Sequence, residues 1–276
     1  MRESNPPRPA VVVGIDGSQA AIRAAEWAVD EAMNREIPLR LIHVIPEHVE
    51  PAPMAAVGNV QMEVEYGETA LRIASAAVEA TGMPVKVETE LGRGNPVTTL
   101  VAESRSAAML CIGSVGIGHF AQALLGSTAA ELAEAAHCTV AIIRSRQSRS
   151  KPGNSLIVAA VSDAPDSEQV VELAIREAQL RHAPVLAVGI LRAGTDDMPS
   201  AELNRRVERW VRHHPDVQIY AGATRTEIAD FLAVMDKTIK LAVIGSGDAD
   251  QVASLIGPHR HPIIGHTECS VLVARS

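Results

Sequence analysis

One order of short motifs occurs twice along this chain of 276 residues, and that repetition limits the fold more than any other feature. Glu26-Trp27-Ala28-Val29-Asp30-Glu31-Ala32 returns as Glu172-Leu173-Ala174-Ile175-Arg176-Glu177-Ala178. Ile112-Gly113-Ser114 returns as Ile244-Gly245-Ser246. His137-Cys138-Thr139-Val140 before Arg144-Ser145 returns as Glu268-Cys269-Ser270-Val271 before Arg275-Ser276. Two copies in the same order read as a duplicated domain. Between them runs Ser145 to Asn154, a polar stretch without apolar periodicity that ends near Pro152-Gly153, which is the composition of a linker. The expected division is residues 1–146, a linker at 147–154, and residues 155–276.

Within each copy, short apolar runs alternate with amphipathic stretches. In the first copy the pattern predicts strands at Ala10–Ile15, Leu39–Ile45, Val85–Leu91, Met109–Gly113 and Thr139–Arg144. It predicts helices at Ser18–Arg35 with Ser18 as N-cap, Gln61–Ala80, Asn95–Ser104 and Ser127–Ala136. Pro46–Val60 reads as loop. The second copy follows the same plan from Leu156–Val161 to Val271–Ala274. Strands alternating with helices imply right-handed β-α-β units. The fold class is therefore α/β, with two tandem doubly wound, Rossmann-like domains, each built on a five-stranded, mainly parallel sheet. Aromatic residues are only 2% of the chain, so Val, Ile, Leu and Ala must fill the cores.

Composition also excludes functions. Scarce aromatics and a net charge of −8 leave neither stacking platforms nor a basic face for nucleic acid. No apolar run reaches the roughly 18 residues of a membrane span. Met1–Pro9 lacks the apolar core of a signal peptide, so the expected location is the cytoplasm. Cys111, Cys138 and Cys269 have neither a disulfide framework nor zinc spacing and read as buried thiols.

The candidate chemistry lies after the fourth strand. Gly113 and Gly116 flank Ser114-Val115, and nine residues later Gly126-Ser127-Thr128 opens an Ala-rich helix. A glycine turn lets backbone N–H groups approach an anion, and the helix start adds unpaired N–H groups and the positive end of its dipole. Ser127 and Thr128 add hydroxyls. Taken singly, these residues read better as a turn and an N-capped helix. The full spacing after a buried strand is more specific. Asp16 stands after the first strand beside Gly17, in a pair common in turns.

The glycine spacing, with Gly14-Ile15-Asp16-Gly17-Ser18 and His43-Val44-Ile45, resembles the universal stress protein family, closely in the first half and in outline over nearly the whole chain. The tandem form resembles the two-domain members found in actinobacteria. The resemblance implies ATP, with or without Mg2+, as the bound ligand, with cyclic AMP as an alternative. It implies a site of Gly14, Asp16, Val44, Gly113, Gly116, Ile117, Gly126, Ser127 and Thr128. Asp16 would meet the nucleoside, the Val44 backbone the base, and the glycines with Ser127 and Thr128 the phosphates. Val115 stands where relatives often carry Arg. Gly94-Asn95-Pro96 resembles the family's turn after strand three, and Arg93 beside it reads as a solvated surface arginine, with a positive charge for the site as the alternative.

The second copy departs from the pattern. Asp248 falls opposite Gly116, Gly257 opposite Gly126, Pro258 opposite Ser127, His259 opposite Thr128, and Ser162 opposite Asp16. Asp248 adds negative charge, and Pro258 removes an N–H and a hydroxyl. One nucleotide per chain is the expectation. His259, His261 and His266 cluster without zinc spacing and read as a polar loop. No catalytic set is recognisable: no nucleophile elbow, no HExxH and no P-loop lysine. The favoured reading is a nucleotide-dependent regulatory module in stress or dormancy adaptation. The alternatives are a slow ATPase or phosphotransferase and a nucleotide-independent interaction scaffold. A homodimer is left open.

Overall fold

The computed structural model describes residues 9–47, 56–116, 125–144, 156–190, 200–235, 239–256 and 269–275. It divides into two compact units, Met1–Ser145 and Arg146–Ser276. The expected linker at 147–154 lies outside the described residues.

The first unit runs β1 (Val11–Gly14), α1 (Gln19–Asn34), β2 (Leu39–Ile45), α2 (Ala56–Glu79), β3 (Val87–Arg93), α3 (Pro96–Glu103), β4 (Met109–Gly113), α4 (Ser127–Ala135) and β5 (Val140–Ile143). Its strand order is β3-β2-β1-β4-β5. Every pairing is parallel: Val11 lies beside Leu39 of β2 and Met109 of β4. β1 sits at the sheet centre because Val11, Val12 and Val13 are apolar on both faces, and all three are fully buried. The order reverses between β1 and β4, which opens a crevice at their carboxyl ends.

The second unit repeats the plan with β6 (Leu156–Val161), α5 (Ser167–Arg181), β7 (Val185–Ile190), α6 (Ser200–His213), β8 (Ile219–Thr224), α7 (Ile228–Met235), β9 (Ile239–Gly245), α8 (Val252–Ile256) and β10 (Ser270–Ala274). Its strands lie in the matching order β8-β7-β6-β9-β10, again all parallel. The duplication extends to a buried carboxylate. Glu31 and Glu177, at matching positions of α1 and α5, are each 1% exposed and paired with Arg35 and Arg181 one turn later. A buried carboxylate is tolerated only when paired in this way.

The expected α/β tandem architecture is the observed one. Local capping follows the sequence: the Ser18 hydroxyl accepts from the Ala21 N–H at 3.1 Å, and Asn95 Oδ1 caps α3 through Val97 and Thr98, with Pro96 at its first position. Two elements differ at a boundary by more than one residue. α2 begins at Ala56, not Gln61, because its first turn lacks the amphipathic stripe that marks a packed helix. β3 spans Val87–Arg93, not Val85–Leu91, because its register with β2 ends at Ile45 opposite Arg93.

Candidate functional site

A cavity of about 350 Å³ opens at the carboxyl ends of β1 and β4, where the strand order reverses. Gly14, Asp16, Val44, Gly113, Gly116, Gly126, Ser127 and Thr128 all line it. They arrive from four places: the end of β1, the end of β2, the turn after β4 and the start of α4. Ile117, the remaining candidate, lies outside the described residues.

The turn after β1 is made by Asp16 and Gly17. Asp16 Oδ1 accepts from the Ser18 N–H at 2.9 Å, and Gly17 has φ of 87°, a left-handed conformation that favours glycine. Asp16 is thus a turn residue and a cavity wall at once. Its second oxygen faces Gly116, where an added Cβ would sit 2.5 Å from it. Ser18 Oγ reaches across to donate to the Val115 carbonyl at 3.3 Å, tying the β1 turn to the β4 turn.

The two glycines after β4 have different duties. A Cβ on Gly113 would lie 2.6 Å from the Ala20 carbonyl carbon and 2.7 Å from the Ala21 nitrogen. Gly113 therefore lets the first turn of α1 lie directly on β4. Gly116 instead leaves room for the Asp16 carboxylate. Gly126 is the N-cap of α4 with extended backbone and brings no capping side chain of its own. Ser127, Thr128 and Ala129 of the first turn line the cavity, where a helix start offers backbone N–H groups. The Gly126 N–H donates to the Ser114 carbonyl at 2.7 Å, which fixes the start of α4 against β4.

Two wall residues escaped the sequence reading. His43, from the His43-Val44-Ile45 segment, is buried with Nδ1 2.7 Å from the Ile15 carbonyl. Tyr66, on α2, donates its hydroxyl to the Asp16 carbonyl at 2.9 Å and sets its ring edge-on to His43 at 5.9 Å. Partial burial, and then the Asp16 charge, push the Tyr66 hydroxyl above its ordinary value of 10.0. Tyr66 does not line this cavity but walls a second chamber of about 560 Å³, with Ile45, Pro46 and Met62, that shares Asp16, His43, Val44 and Pro96 with the first. The scarcity of aromatics was the available signal: Tyr66 is one of two tyrosines. Arg93 ends β3, is exposed and lines neither chamber.

At the matching place in the second unit, the chain's own side chains meet the strand ends. Asp166 Oδ2 accepts from the Ser246 N–H at 3.0 Å and from its hydroxyl at 3.2 Å, and it leaves no room for a Cβ on Gly245. Arg206 of α6 donates to the Ser162 carbonyl at 3.2 Å and to Ser167 Oγ at 3.3 Å, over the Trp210 ring at 5.3 Å. Ser162 is the counterpart of Asp16, so Arg206 bonds the carbonyl that Tyr66 bonds in the first unit. Asp248 lies in a 3-10 turn, Ser246–Gln251. Gly257, Pro258, His259, His261 and His266 lie outside the described residues. Among the described residues there is no cluster of three metal-ligating side chains and no helix long and apolar enough to cross a membrane.

The universal stress protein family matches residues 8–144. Two universal stress proteins of Mycobacterium tuberculosis align over nearly the full length. One is 50% identical over 266 residues, covering 96% of each chain; the other is 38% identical over 276 residues, covering 99% of this chain and 98% of its own. A solved universal stress protein from Archaeoglobus fulgidus shares the fold, with a TM-score of 0.71 at 16% identity over 96% of each chain. With half of its residues shared along almost all of a full-length relative, this chain belongs to the universal stress protein family.

Proposed function

We propose that the first unit binds an adenine nucleotide, ATP in preference to cyclic AMP, and that occupancy makes the chain a cytoplasmic regulatory module in stress or dormancy adaptation. The observation that carries this reading is a single convergence. The start of α4 and the glycine turn after β4 share one cavity with Asp16 and Val44. Backbone donors for phosphate and a carboxylate for ribose hydroxyls border the same cavity. The donor set suits the ligand: backbone N–H groups and hydroxyls accept a polyphosphate without a cationic side chain. Among the described residues Asp16 is the one carboxylate lining this cavity, so any Mg2+ enters held mainly by the phosphates.

The second unit is read as silent. Asp166 already satisfies the Ser246 N–H and hydroxyl, and Arg206 already bonds the Ser162 carbonyl. The reading is therefore one nucleotide per chain. Nucleotide binding to the folded state stabilises it by mass action and biases whichever surface moves with the site.

Isothermal titration of the purified protein with ATP and with cyclic AMP tests the reading. Asp16→Asn keeps the turn acceptor for Ser18 and removes the charge. Its ATP affinity is expected to fall about tenfold or more, as for a lost charge-assisted hydrogen bond, with the melting temperature held. No heat with either ligand, or unchanged affinity in Asp16→Asn, overturns it.

A further inference from the structure

The second chamber has a lining of a different kind from the first. Among the described residues, neither the glycine turn after β4 nor the start of α4 reaches it. Its walls come from the end of β2 (Ile45 and Pro46), from α2 (Met62 and Tyr66) and from Pro96 at the start of α3. The polar groups around it are already engaged. The Tyr66 hydroxyl donates to the Asp16 carbonyl at 2.9 Å, His43 Nδ1 stands 2.7 Å from the Ile15 carbonyl, and the Ile45 carbonyl accepts from the Gly94 N–H at 3.0 Å. The chamber therefore offers an aromatic ring, a thioether and aliphatic surface. Met62 is 68% exposed and Tyr66 47%, large apolar groups left bare in its wall. Asp16 and Glu63 also line it, and among the described residues no Lys or Arg does. The hollow is held open from below. A Cβ on Gly67, the neighbour of Tyr66, would stand 2.5 Å from the His43 ring and 2.7 Å from Leu91, so α2 is already seated on the sheet and cannot settle further. The volume of about 560 Å³ is that of a small-molecule site.

We infer that this chamber binds an uncharged aromatic compound carrying an N–H or O–H donor, of the arylamine, phenol or indole kind, beside the nucleotide and not as part of it. The ring packs on Tyr66, the Met62 sulfur and the prolines. The carboxylates select the rest of the ligand. They accept hydrogen bonds and cannot donate when ionised, so they ask for a donor and repel an anion. A carboxylate has about four acceptor positions, so Asp16 serves the Ser18 N–H and a ligand together. A nucleotide base is the poorer occupant, because its several ring nitrogens would be buried against polar groups that are already bonded.

The test is a fluorescence titration of the full chain with N-phenylnaphthylamine, an uncharged ring compound with one N–H that brightens in apolar surroundings. Anilinonaphthalenesulfonate, the same rings with an anionic group added, is titrated beside it. Binding of one N-phenylnaphthylamine per chain is expected, with the sulfonate at least about tenfold weaker. Met62→Glu sets a charge in the apolar wall and is expected to weaken the uncharged probe about tenfold. Ile73→Glu changes an exposed apolar residue of α2 that does not line the chamber, and it is expected to leave the probe affinity unchanged. Saturating ATP is expected to leave the probe bound. A chain that takes up no ATP fails the proposed nucleotide function alone, and the two probes and two variants still decide this site. No saturable binding, a sulfonate that binds as tightly, an unaffected Met62→Glu, an equally weakened Ile73→Glu, or stoichiometric displacement of the probe by ATP each overturns the proposal.

Discussion

A methyl group added at Gly113 meets the backbone of Ala20 and Ala21 at 2.6 to 2.7 Å, whereas one added at Gly116 meets only the end of the Asp16 side chain. Backbone cannot step aside, so Gly113→Ala forces α1 off β4. It is expected to cost about 3 kcal/mol, the upper part of the overpacking range, read as a lower denaturant midpoint. The Asp16 carboxylate can swing away only by giving up its bond to the Ser18 N–H, so Gly116→Ala is expected to cost about 1 kcal/mol. It displaces the carboxylate into the cavity and weakens ATP binding about tenfold, because a carboxylate moved toward the phosphates repels them. Tyr66 adds a pH effect of definite sign. Its hydroxyl must be protonated to donate to the Asp16 carbonyl, and its ionisation is pushed above 10.0. The stabilisation is complete below the ordinary tyrosine value and is lost as pH rises through the raised one. Urea midpoints from about pH 9 upward should therefore fall in the wild type and fall less steeply in Tyr66→Phe. Sequence showed that residues 113 and 116 are glycines, but not that one serves packing and the other a carboxylate. The difference lies in contacts with Ala20 and Asp16, far away along the chain. Tyr66 stayed illegible for the same reason, since the carbonyl it bonds is 50 residues distant.

At the scale of elements, α4 is the informative helix. It starts at Gly126 with φ of −77° and ψ of 150°, a conformation open to any residue, yet Gly126 brings no capping side chain of its own. Asp, Asn or Ser at that position would stabilise the helix by about 1 kcal/mol. Gly126→Asp supplies the missing cap and places a carboxylate where phosphate is proposed to sit. Thermal stability is expected to rise by about 1 kcal/mol while ATP affinity falls at least tenfold. A rise in stability with unchanged affinity would separate α4 from the phosphate site. The helix itself was fully legible, because Gly126-Ser127-Thr128 followed by an Ala-rich run is a start signal in any context. β2 and β4 were predicted to the residue, since β4 is a continuous apolar run and β2 an apolar run broken only by Arg40 and His43. The start of α2 was not, because its first turn has neither a cap signal nor a polar face to set its boundary.

For the whole molecule, duplication has kept the frame and divided the chemistry. Both units keep the strand order, the buried Glu–Arg pair on the first helix and a glycine ending the fourth strand. They differ in what meets the strand ends. In the first unit a cavity remains, lined by Asp16 and the start of α4. In the second, Asp166 bonds Ser246 and Arg206 bonds Ser162, so the polar groups that would receive a ligand are already taken. Displacing them would mean breaking charge-assisted hydrogen bonds, which cost more to break than neutral ones. ATP at about 100 times its dissociation constant should add about 2.7 kcal/mol to the state that binds it. Hydrogen exchange is expected to report that gain in residues 11–18, 109–116 and 126–132. The matching segments 156–167 and 239–246 should exchange at the rate of the nucleotide-free protein. Native mass spectrometry of the same sample should find one nucleotide per chain. Two nucleotides, or equal slowing in both units, would mean that the Asp166 and Arg206 contacts open readily and that the second unit is a working site.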